Sequence, residues 1–301
     1  LLPRLTAPSA APAARAAGGA VPATPHAVTS VRIGGKTFTE QYVLMEVMRA
    51  RLAAAGLRVE VVESLGSTVA FDALRGGQLD AYVDYSGTIW ANHMARSAGA
   101  PRWQVLAEVE AWLAREHGLR SLGSLGFENA YAIAIRRETA ARLGVRSIAD
   151  LAAHARAMAI GGDYEFFSRH EWAALRAAYG LGFARTTSYD PTLLYDALVH
   201  DDVDAISAFS SDGRIAAHDL VVLDDPAGAL PPYDAMLLLG RRVAADARVV
   251  CALAPLRDAL PVELVRRANL MVDRDADKAT PAFAAAWLLE AARVPPVACT
   301  E

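Results

Sequence analysis

A lysine that directly follows two glycines makes one short stretch of the chain a candidate site for an anion. Residues 31–33 form a short apolar run, and Gly34, Gly35 and Lys36 follow it. Thr39 precedes a run with helical spacing and is predicted to cap that helix. Glycine permits a tight turn, and the free amides at a helix start carry partial positive charge. With the ammonium of Lys36 added, the segment predicts a site for a carboxylate or another anion. An ordinary strand-to-helix turn with a solvated lysine is the alternative.

The other polar residues give little sign of catalysis or metal binding. No two histidines have the helical spacing of a metal-binding pair. Asp201, Asp202 and Asp204 form an acidic run, but it lacks the spaced ligands and closing Glu of a calcium loop. An enzyme would have only Asp84 and Asp163 as candidate acids or bases. We therefore expect no enzymatic activity, no cofactor and no metal.

The elements that must position such residues alternate between strands and helices. Strands are predicted at residues 31–33, 59–63, 81–83, 131–135, 157–160, 205–208 and 235–239. Helices are predicted at residues 40–55, 69–75, 102–117, 138–143, 148–154, 171–179, 192–200, 247–259, 262–273 and 277–291. This alternation indicates an α/β fold with largely parallel sheets and helices on both faces. Ligands of such sheets bind at the C-terminal ends of the strands.

Two segments of the chain resemble each other. Residues 73–83 and residues 197–207 each contain a helix end, a turn with an acidic residue and a strand, and an aromatic residue, Tyr85 or Phe209, follows. Two similar α/β lobes that face each other across a cleft would explain the likeness. Helix–turn–strand units are also common in any α/β protein, which leaves the simpler explanation open.

Composition limits the class of protein. The 301 residues are 53% hydrophobic and 21% charged, with a net charge of −4, so the chain is long enough for two domains with apolar cores. The weak negative charge gives no reason to expect nucleic acid as a partner. No apolar stretch is long enough for a transmembrane helix. Residues 1–29 are rich in Ala and Pro without periodicity, which predicts a disordered leader or linker of an exported protein tethered near a membrane.

Five motifs together carry a resemblance to a known family. They occur in a fixed order at residues 34–41, 82–88, 165–169, 207–215 and 231–233. Together they resemble the substrate-binding proteins of osmoprotectant ABC transporters, the glycine betaine/carnitine/choline type, over about residues 30–292. The first and fourth motifs are specific in combination.

The resemblance implies a two-lobed periplasmic-binding-protein fold of type II, with the ligand cleft between the lobes. The chain would cross between the lobes twice. The first lobe would contain residues 30–130 plus 232–301, and the second lobe residues 131–231. In this family an aromatic box holds the quaternary ammonium of the ligand, and a Lys, an Arg and a Thr hold its carboxylate.

The motifs transfer these roles to seven residues. The residues expected to bind a carboxylate are Lys36, Thr88 and Arg169. The residues expected to form the aromatic box are Tyr85, Tyr131, Phe209 and Tyr233. Ring faces attract a cation that cannot donate hydrogen bonds, whereas a carboxylate needs charged and hydroxyl donors.

The chain departs from the family pattern at three places. Phe209 stands where the family usually has Tyr, residues 169–172 lack the Asp-Gly pair that commonly follows the arginine, and Asp84 begins a segment that is usually Glu-Tyr-Thr. These departures leave the identity of the ligand open.

Cys251 and Cys299 allow one disulfide or two separate thiols, and neither has metal-ligand spacing around it. A disulfide is favoured because an extracytoplasmic protein meets an oxidising environment. It would fix the C-terminal tail to the body of the protein.

The expected function is that of an extracytoplasmic, periplasmic substrate-binding protein of an ABC importer, possessing no catalytic role. Its expected ligand is a small quaternary amine such as glycine betaine or choline, its expected partner is a membrane permease, and it is expected to act as a monomer without nucleic acid. One alternative is the same fold with a different small polar solute. Another is a substrate-binding domain fused to its permease.

Overall fold

The computed structural model describes residues 28–96, 100–164, 166–190, 193–274 and 276–299, without the side chain of His170. Residues 1–27 of the predicted leader, Glu165 of the third motif and the start of the helix predicted at Thr192 lie outside the described residues. The described residues form two five-stranded sheets with helices packed around them.

Five strands form the first sheet: β1 (Ser30–Lys36), β2 (Arg58–Leu65), β3 (Ala81–Tyr85), β4 (Arg120–Glu128) and β10 (Asp234–Leu239). Their order is β2–β1–β3–β10–β4. β1 is parallel to β2 and β3, whereas β10 is antiparallel to β3 and β4.

Five strands form the second sheet: β5 (Tyr131–Arg136), β6 (Ala159–Gly162), β7 (Arg185–Ser188), β8 (Ala205–Phe209) and β9 (Leu220–Val222). Their order is β7–β6–β8–β5–β9. β6 is parallel to β7 and β8, whereas β5 is antiparallel to β8 and β9.

The two sheets have the same pattern of neighbours. The similar segments at residues 73–83 and 197–207 contain most of β3 and β8, and each of these strands lies between a parallel and an antiparallel neighbour. The sheets are mixed rather than largely parallel, because β10 and β5 enter each sheet after a crossing from the other one and run in the reverse direction. The likeness in sequence therefore corresponds to a likeness in topology.

The α-helices flank the sheets. They are α1 (Thr39–Ala54), α2 (Ser67–Arg75), α3 (Ser86–Thr88), α4 (Arg102–His117), α5 (Arg137–Leu143), α6 (Ile148–Ala152), α7 (His170–Tyr179), α8 (Leu194–Val199), α9 (Gly213–Ala217), α10 (Ala247–Leu253), α11 (Val262–Asp273) and α12 (Pro281–Ala291). A π-helical turn, Ile89–His93, follows α3, and 3₁₀ turns lie at Ala155–Ala157, Phe166–Ser168 and Ala254–Leu256.

Both faces of the first sheet are buried at its centre, whereas its edge strand β2 is mostly exposed. All of β10 is buried, and its side chains alternate: Leu237 packs into the core formed with α1, α10, α11 and α12, while Leu238 packs into the core formed with α2 and α4. A strand covered on both faces reads as a continuous apolar run. The second sheet also contributes to two apolar cores.

The chain passes between the sheets in two segments. Residues 129–130 join β4 to β5, and residues 223–233 join β9 to β10. The amide of Asn129 donates to the carbonyl of Tyr233 over 3.0 Å, so the two segments run side by side. The predicted lobe boundaries at residues 130/131 and 231/232 fall within these segments and stay a prediction.

A disulfide joins Cys251 of α10 to Cys299, 48 positions later in the chain. Its Cα atoms are 5.8 Å apart, within the usual range for a bridge. The expected pairing is therefore present, and it fixes the C-terminal tail against α10.

Candidate ligand-binding site

One cavity of about 280 Å³ at the junction of the two sheets brings all seven predicted residues together. Its walls are formed by Lys36, Phe38, Ser67, Tyr85, Thr88, Asn129, Tyr131, Arg169, Phe209 and Tyr233. The volume lies just below the usual range for small-molecule sites, which begins at about 300 Å³. Whether these residues bind a ligand stays a prediction.

The ends of four strands place the four aromatic rings that the motifs predicted. Tyr85 is the last residue of β3 and Phe209 the last of β8, while Tyr131 begins β5 and Tyr233 directly precedes β10. Because β5 is antiparallel to β8, its first residue lies opposite the last residue of β8, and Tyr131 pairs with Phe209. The same rule places Tyr233 next to the end of β3. The mixed strand directions are therefore what gathers the rings at one edge of each sheet.

The rings form a wall that is part buried and part open. The centroids of Tyr131 and Phe209 are 4.7 Å apart with the planes tilted by 36°, and Tyr85 stacks on Phe38 at 6.2 Å. Tyr85 and Tyr131 are buried, whereas Phe209 is 43% exposed. An exposed aromatic ring at a cavity mouth has a face available for a ligand.

Lys36 has a buried carboxylate as its partner. Its Nζ lies 2.5 Å from Oδ1 of Asp84, and both side chains are buried. The other oxygen of Asp84 accepts a hydrogen bond from the hydroxyl of Tyr82 over 2.5 Å. The ammonium also lies 5.1 Å from the centre of the Tyr85 ring. The lysine thus lines the cavity as one half of an ion pair and not as an isolated positive charge.

Arg169 also has a carboxylate partner. Its Nε lies 3.3 Å from Oε2 of Glu171, a fully buried residue, and its guanidinium carbon lies 5.2 Å from the centre of the Tyr131 ring. The other oxygen of Glu171 accepts from the hydroxyl of Tyr233 over 3.3 Å. Burial and the nearby charge of Glu171 raise the pKa of Tyr233 to about 12, so its hydroxyl stays protonated at neutral pH. Glu171 thereby connects two of the predicted ligand residues.

Thr88 ends the short helix α3, directly after β3. The preceding Gly87 has a structural reason to be glycine, because a Cβ there would lie 2.7 Å from the ring of Tyr233 and 2.8 Å from the carbonyl oxygen of Pro232. The absence of a side chain at Gly87 lets the segment before β10 approach the cavity closely.

Several residues at the cavity were not predicted from the sequence. Phe38, Ser67 and Asn129 line it, and Glu171 supports it from behind. Phe38 lies inside the first motif and could have been suggested by its aromatic ring. Ser67 and Asn129 carry no signal in a single sequence, since polar residues are common at helix starts and turns.

The predicted cap of α1 is wrong. Thr39 is the first residue of the helix, and its hydroxyl donates to Oδ1 of Asp273 over 2.5 Å, while the N-cap residue is Phe38, whose side chain cannot cap. Thr39 thus fixes α1 to the end of α11.

A metal-binding cluster and a membrane-spanning helix are both absent from the residue ranges that the structure describes. Within those ranges, no three or more His, Cys, Asp or Glu side chains are grouped so that they could hold a metal ion. None of the helices in the described ranges combines the length and the apolarity that crossing a bilayer requires.

Comparison with known proteins identifies the family. The family described as the substrate binding domain of ABC-type glycine betaine transport systems matches residues 29–290. The chain belongs to this family. It is accordingly a substrate-binding protein of the osmoprotectant type of ABC importer, as the motifs predicted, and its family role is transport rather than catalysis.

Relatives include several transport proteins. The chain is 33% identical over 232 residues to a glycine-betaine-binding protein of Pseudomonas aeruginosa, covering 71% of this chain and 72% of that protein. It is 28% identical over 214 residues to a carnitine transport binding protein of Listeria monocytogenes, covering 69% and 70%. It is 28% identical over 216 residues to a Helicobacter pylori ergothioneine transport permease/ergothioneine binding protein; this match covers 70% of the chain but only 38% of that longer protein.

Solved structures agree on the fold. A crystal structure of a glycine betaine/carnitine/choline ABC transporter superimposes with a TM-score of 0.82 at 24% identity, covering 88% of this chain and 99% of that one. The chain therefore has the two-lobed type II periplasmic-binding-protein fold, and the expected fold class is confirmed.

Proposed function

We propose that this protein binds a small quaternary amine, such as glycine betaine or choline, in the cavity between the two sheets and delivers it to an ABC permease. The observation that carries the proposal is the lining of one cavity by five aromatic rings, the four predicted ones and Phe38, together with two basic side chains. We place the protein outside the cytoplasm, where importers of this type collect their substrates, and tethering through the leader belongs to the same proposal.

The aromatic rings suit a trimethylammonium group. Such a group cannot donate an N–H hydrogen bond and is only weakly hydrated, so a polar pocket offers it little. Ring faces provide negative electrostatic potential together with an apolar surface, and each good contact contributes about 0.5–2 kcal/mol. Phe209 in place of the usual Tyr keeps the ring face and loses only the hydroxyl.

The other end of the ligand would meet polar groups. Thr88 offers a hydroxyl to either a carboxylate or an alcohol, and Arg169 can form a two-pronged contact with a carboxylate. In the structure, Lys36 contacts Asp84 and Arg169 contacts Glu171. A ligand carboxylate would therefore have to share these cations with protein carboxylates, whereas the hydroxyl of choline would not.

Binding is proposed to close the two lobes. The segments near residues 128–131 and 209–233, which contain the two crossings between the sheets, would absorb the rotation, as in hinge closure of binding proteins. Closure removes water from the cavity and strengthens both the cation–π and the ionic contacts. We propose that the protein acts as a monomer without cofactor, nucleic acid or turnover. If this domain is covalently fused to its permease, the domain would still bind the ligand and deliver it to that permease.

Calorimetric titration tests the proposal. We expect saturable binding of choline, glycine betaine, carnitine or ergothioneine by the wild type, and at least tenfold weaker binding after Tyr85→Ala or Tyr233→Ala, a loss of about 1.4 kcal/mol or more. Tyr179→Ala is the matched control, because the hydroxyl of Tyr179 contacts Asp225 and the residue does not line the cavity.

The same titration distinguishes the alternative ligand class, a different small polar solute. Binding of simple amino acids or other polar solutes, with no quaternary amine bound, would overturn the proposed ligand and leave the fold and family unchanged. Equal losses at Tyr179 and at the cavity tyrosines would contradict the assignment of the aromatic residues.

A further inference from the structure

A buried carboxylate directly behind the cavity holds one of its tyrosines. Glu40, near the start of α1, is 3% exposed and does not line the cavity. Its Oε1 accepts a hydrogen bond from the hydroxyl of Tyr85. The next residue, Gln41, donates from Nε2 to the same hydroxyl over 3.0 Å. The hydroxyl of Tyr85 is therefore fixed from α1 by two consecutive side chains.

The same carboxylate reaches the junction between the sheets. Asn129, in the first crossing segment, lies with Nδ2 3.3 Å from Oε1 of Glu40. Asn269 of α11 lies with Nδ2 3.4 Å from Oε2, and this amide also donates to the carbonyl of Ser211 over 3.0 Å. Ser211 follows β8 of the second sheet. Glu40 thus connects a cavity ring of the first sheet to the crossing segment and to the end of a strand of the second sheet.

Placing this carboxylate in the interior has an energetic cost. Burial raises the pKa of Glu40, and the hydrogen bonds from Ser211, Tyr85, Asn129 and Asn269 oppose that rise. Within the described part of the chain its hydrogen-bond partners are neutral donors, so no cation offsets the desolvation. A buried acid without a cationic partner contributes little to stability. The role of Glu40 must therefore lie in the side chains that it holds in position.

We propose that Glu40 is a positioning residue that fixes the ring of Tyr85 in the cavity wall and ties it to the junction of the two lobes. The inference rests on the proposed function, because it assigns Tyr85 to ligand binding. This role explains why an acidic residue lies near the start of α1, at the place where α1, the first crossing segment and α11 meet. Ligand affinity then depends on Glu40 only through the tyrosine that it holds.

Three variants of α1 test this role. Glu40→Ala removes the acceptor. Glu40→Gln keeps an oxygen for the hydroxyl of Tyr85, and its new amide has acceptors at hand, because Oδ1 of Asn129 and Oδ1 of Asn269 are buried without a hydrogen-bond partner among the described residues. Glu46→Ala is the matched control, since Glu46 lies on the same helix and pairs with a neighbouring arginine at its surface.

Affinity for choline is measured by calorimetry at a temperature where circular dichroism shows every variant folded. We expect Glu40→Ala to weaken binding at least tenfold, Glu40→Gln to stay within threefold of wild type, and Glu46→Ala to match wild type. In a Tyr85→Phe background, Glu40→Ala should have less than a twofold further effect, because the hydroxyl that it orients is gone. Such coupling is the signature of two residues that act through each other.

A ligand-free measurement accompanies the titration. With tyrosine labelled at ¹³Cζ, the Tyr85 resonance, assigned by its loss in Tyr85→Phe, should shift in Glu40→Ala and stay in place in Glu46→Ala. An unchanged resonance, or an equal loss of affinity in both backgrounds, would overturn the proposal and indicate a purely structural Glu40. If the wild type binds neither choline nor glycine betaine, the proposed function fails, while the resonance still decides whether Glu40 positions Tyr85.

Discussion

The ion pair between Lys36 and Asp84 yields a prediction about stability as well as binding. Lys36 is 5% exposed, Asp84 is fully buried, and their charged atoms are 2.5 Å apart. Removing one partner of such a pair leaves an uncompensated charge in the interior, which typically costs about 3–5 kcal/mol. We therefore expect Lys36→Met, which keeps the apolar stem, to lower the free energy of unfolding by that amount.

The assay is urea unfolding followed by circular dichroism, with the slope of the transition checked for constancy. The double variant Lys36→Met/Asp84→Asn removes both charges, so it should recover a large part of the loss. The control pair is Arg58 and Glu60, whose side chains are 77% and 49% exposed at a separation of 3.0 Å. Arg58→Met should cost at most about 1 kcal/mol, as exposed pairs do.

A loss below about 1 kcal/mol for Lys36→Met, equal to that of the surface control, would refute the reasoning. The same variant also tests ligand binding, measured below its unfolding midpoint. We expect it to weaken glycine betaine more than choline, because choline has no carboxylate to lose a cation. Equal losses for the two ligands would mean that Lys36 is structural and that the anion is held elsewhere.

Three further predictions follow from single features. Replacing Cys251 and Cys299 by serine should lower the unfolding free energy by up to about 4 kcal/mol, from the closure entropy of a loop of 48 residues; an unchanged urea midpoint would contradict it. Burial lowers the pKa of His93 and of His117 below the ordinary 6.5. The stability that their neutral forms contribute is therefore present above pH 6.5 and is lost as the pH falls through the lowered pKa values. The urea midpoints of the wild type and of His93→Gln/His117→Gln should converge in acid, and a constant difference between them at every pH would contradict this. Phe209→Tyr should keep or tighten choline binding, because the ring face stays; a tenfold loss by calorimetry would show that the hydroxyl has no room.

Much of the fold could be predicted because most of its strands are apolar runs that are bounded by turn or polar residues. Strands such as β10 are buried on both faces, and such runs are visible without an alignment. Two of the three strands that were not predicted, β4 and β7, lack this signal, whereas the third, β9, is apolar but only three residues long. β4 contains Gly123 and Gly126 at positive φ, which break the pattern, and β7 is four residues long with mostly exposed side chains. The length and periodicity of an apolar run therefore cannot reveal such strands at the edges of the sheets.

The direction of the strands could not be predicted from the pattern. Alternating strands and helices suggest parallel pairing, yet β10 and β5 enter their sheets from the opposite lobe and run antiparallel to their neighbours. This depends on where the chain crosses between lobes, a property that local sequence does not encode. The resemblance to a known family supplied the crossings.

The candidate site was predictable as a set of residues but not as a network. All seven residues chosen from the motifs line one cavity. The carboxylates that hold them were not foreseen, because an ion pair such as that of Arg169 with Glu171 depends on side-chain geometry. Glu40 was likewise visible in the first motif, but its contacts with Asn129 and Asn269 come from segments far away in the chain.

The most direct test of the account compares choline with 3,3-dimethylbutan-1-ol, which has the same shape and hydroxyl but a carbon in place of the charged nitrogen. The cavity of Tyr85, Tyr131, Phe209 and Tyr233 should bind choline with saturation in a calorimetric titration and bind the neutral alcohol at least tenfold more weakly, because cation–π attraction is lost while shape is kept. Equal affinity for the two compounds, or failure of every quaternary amine to bind, would contradict the claim that the aromatic cavity recognises a quaternary ammonium ion.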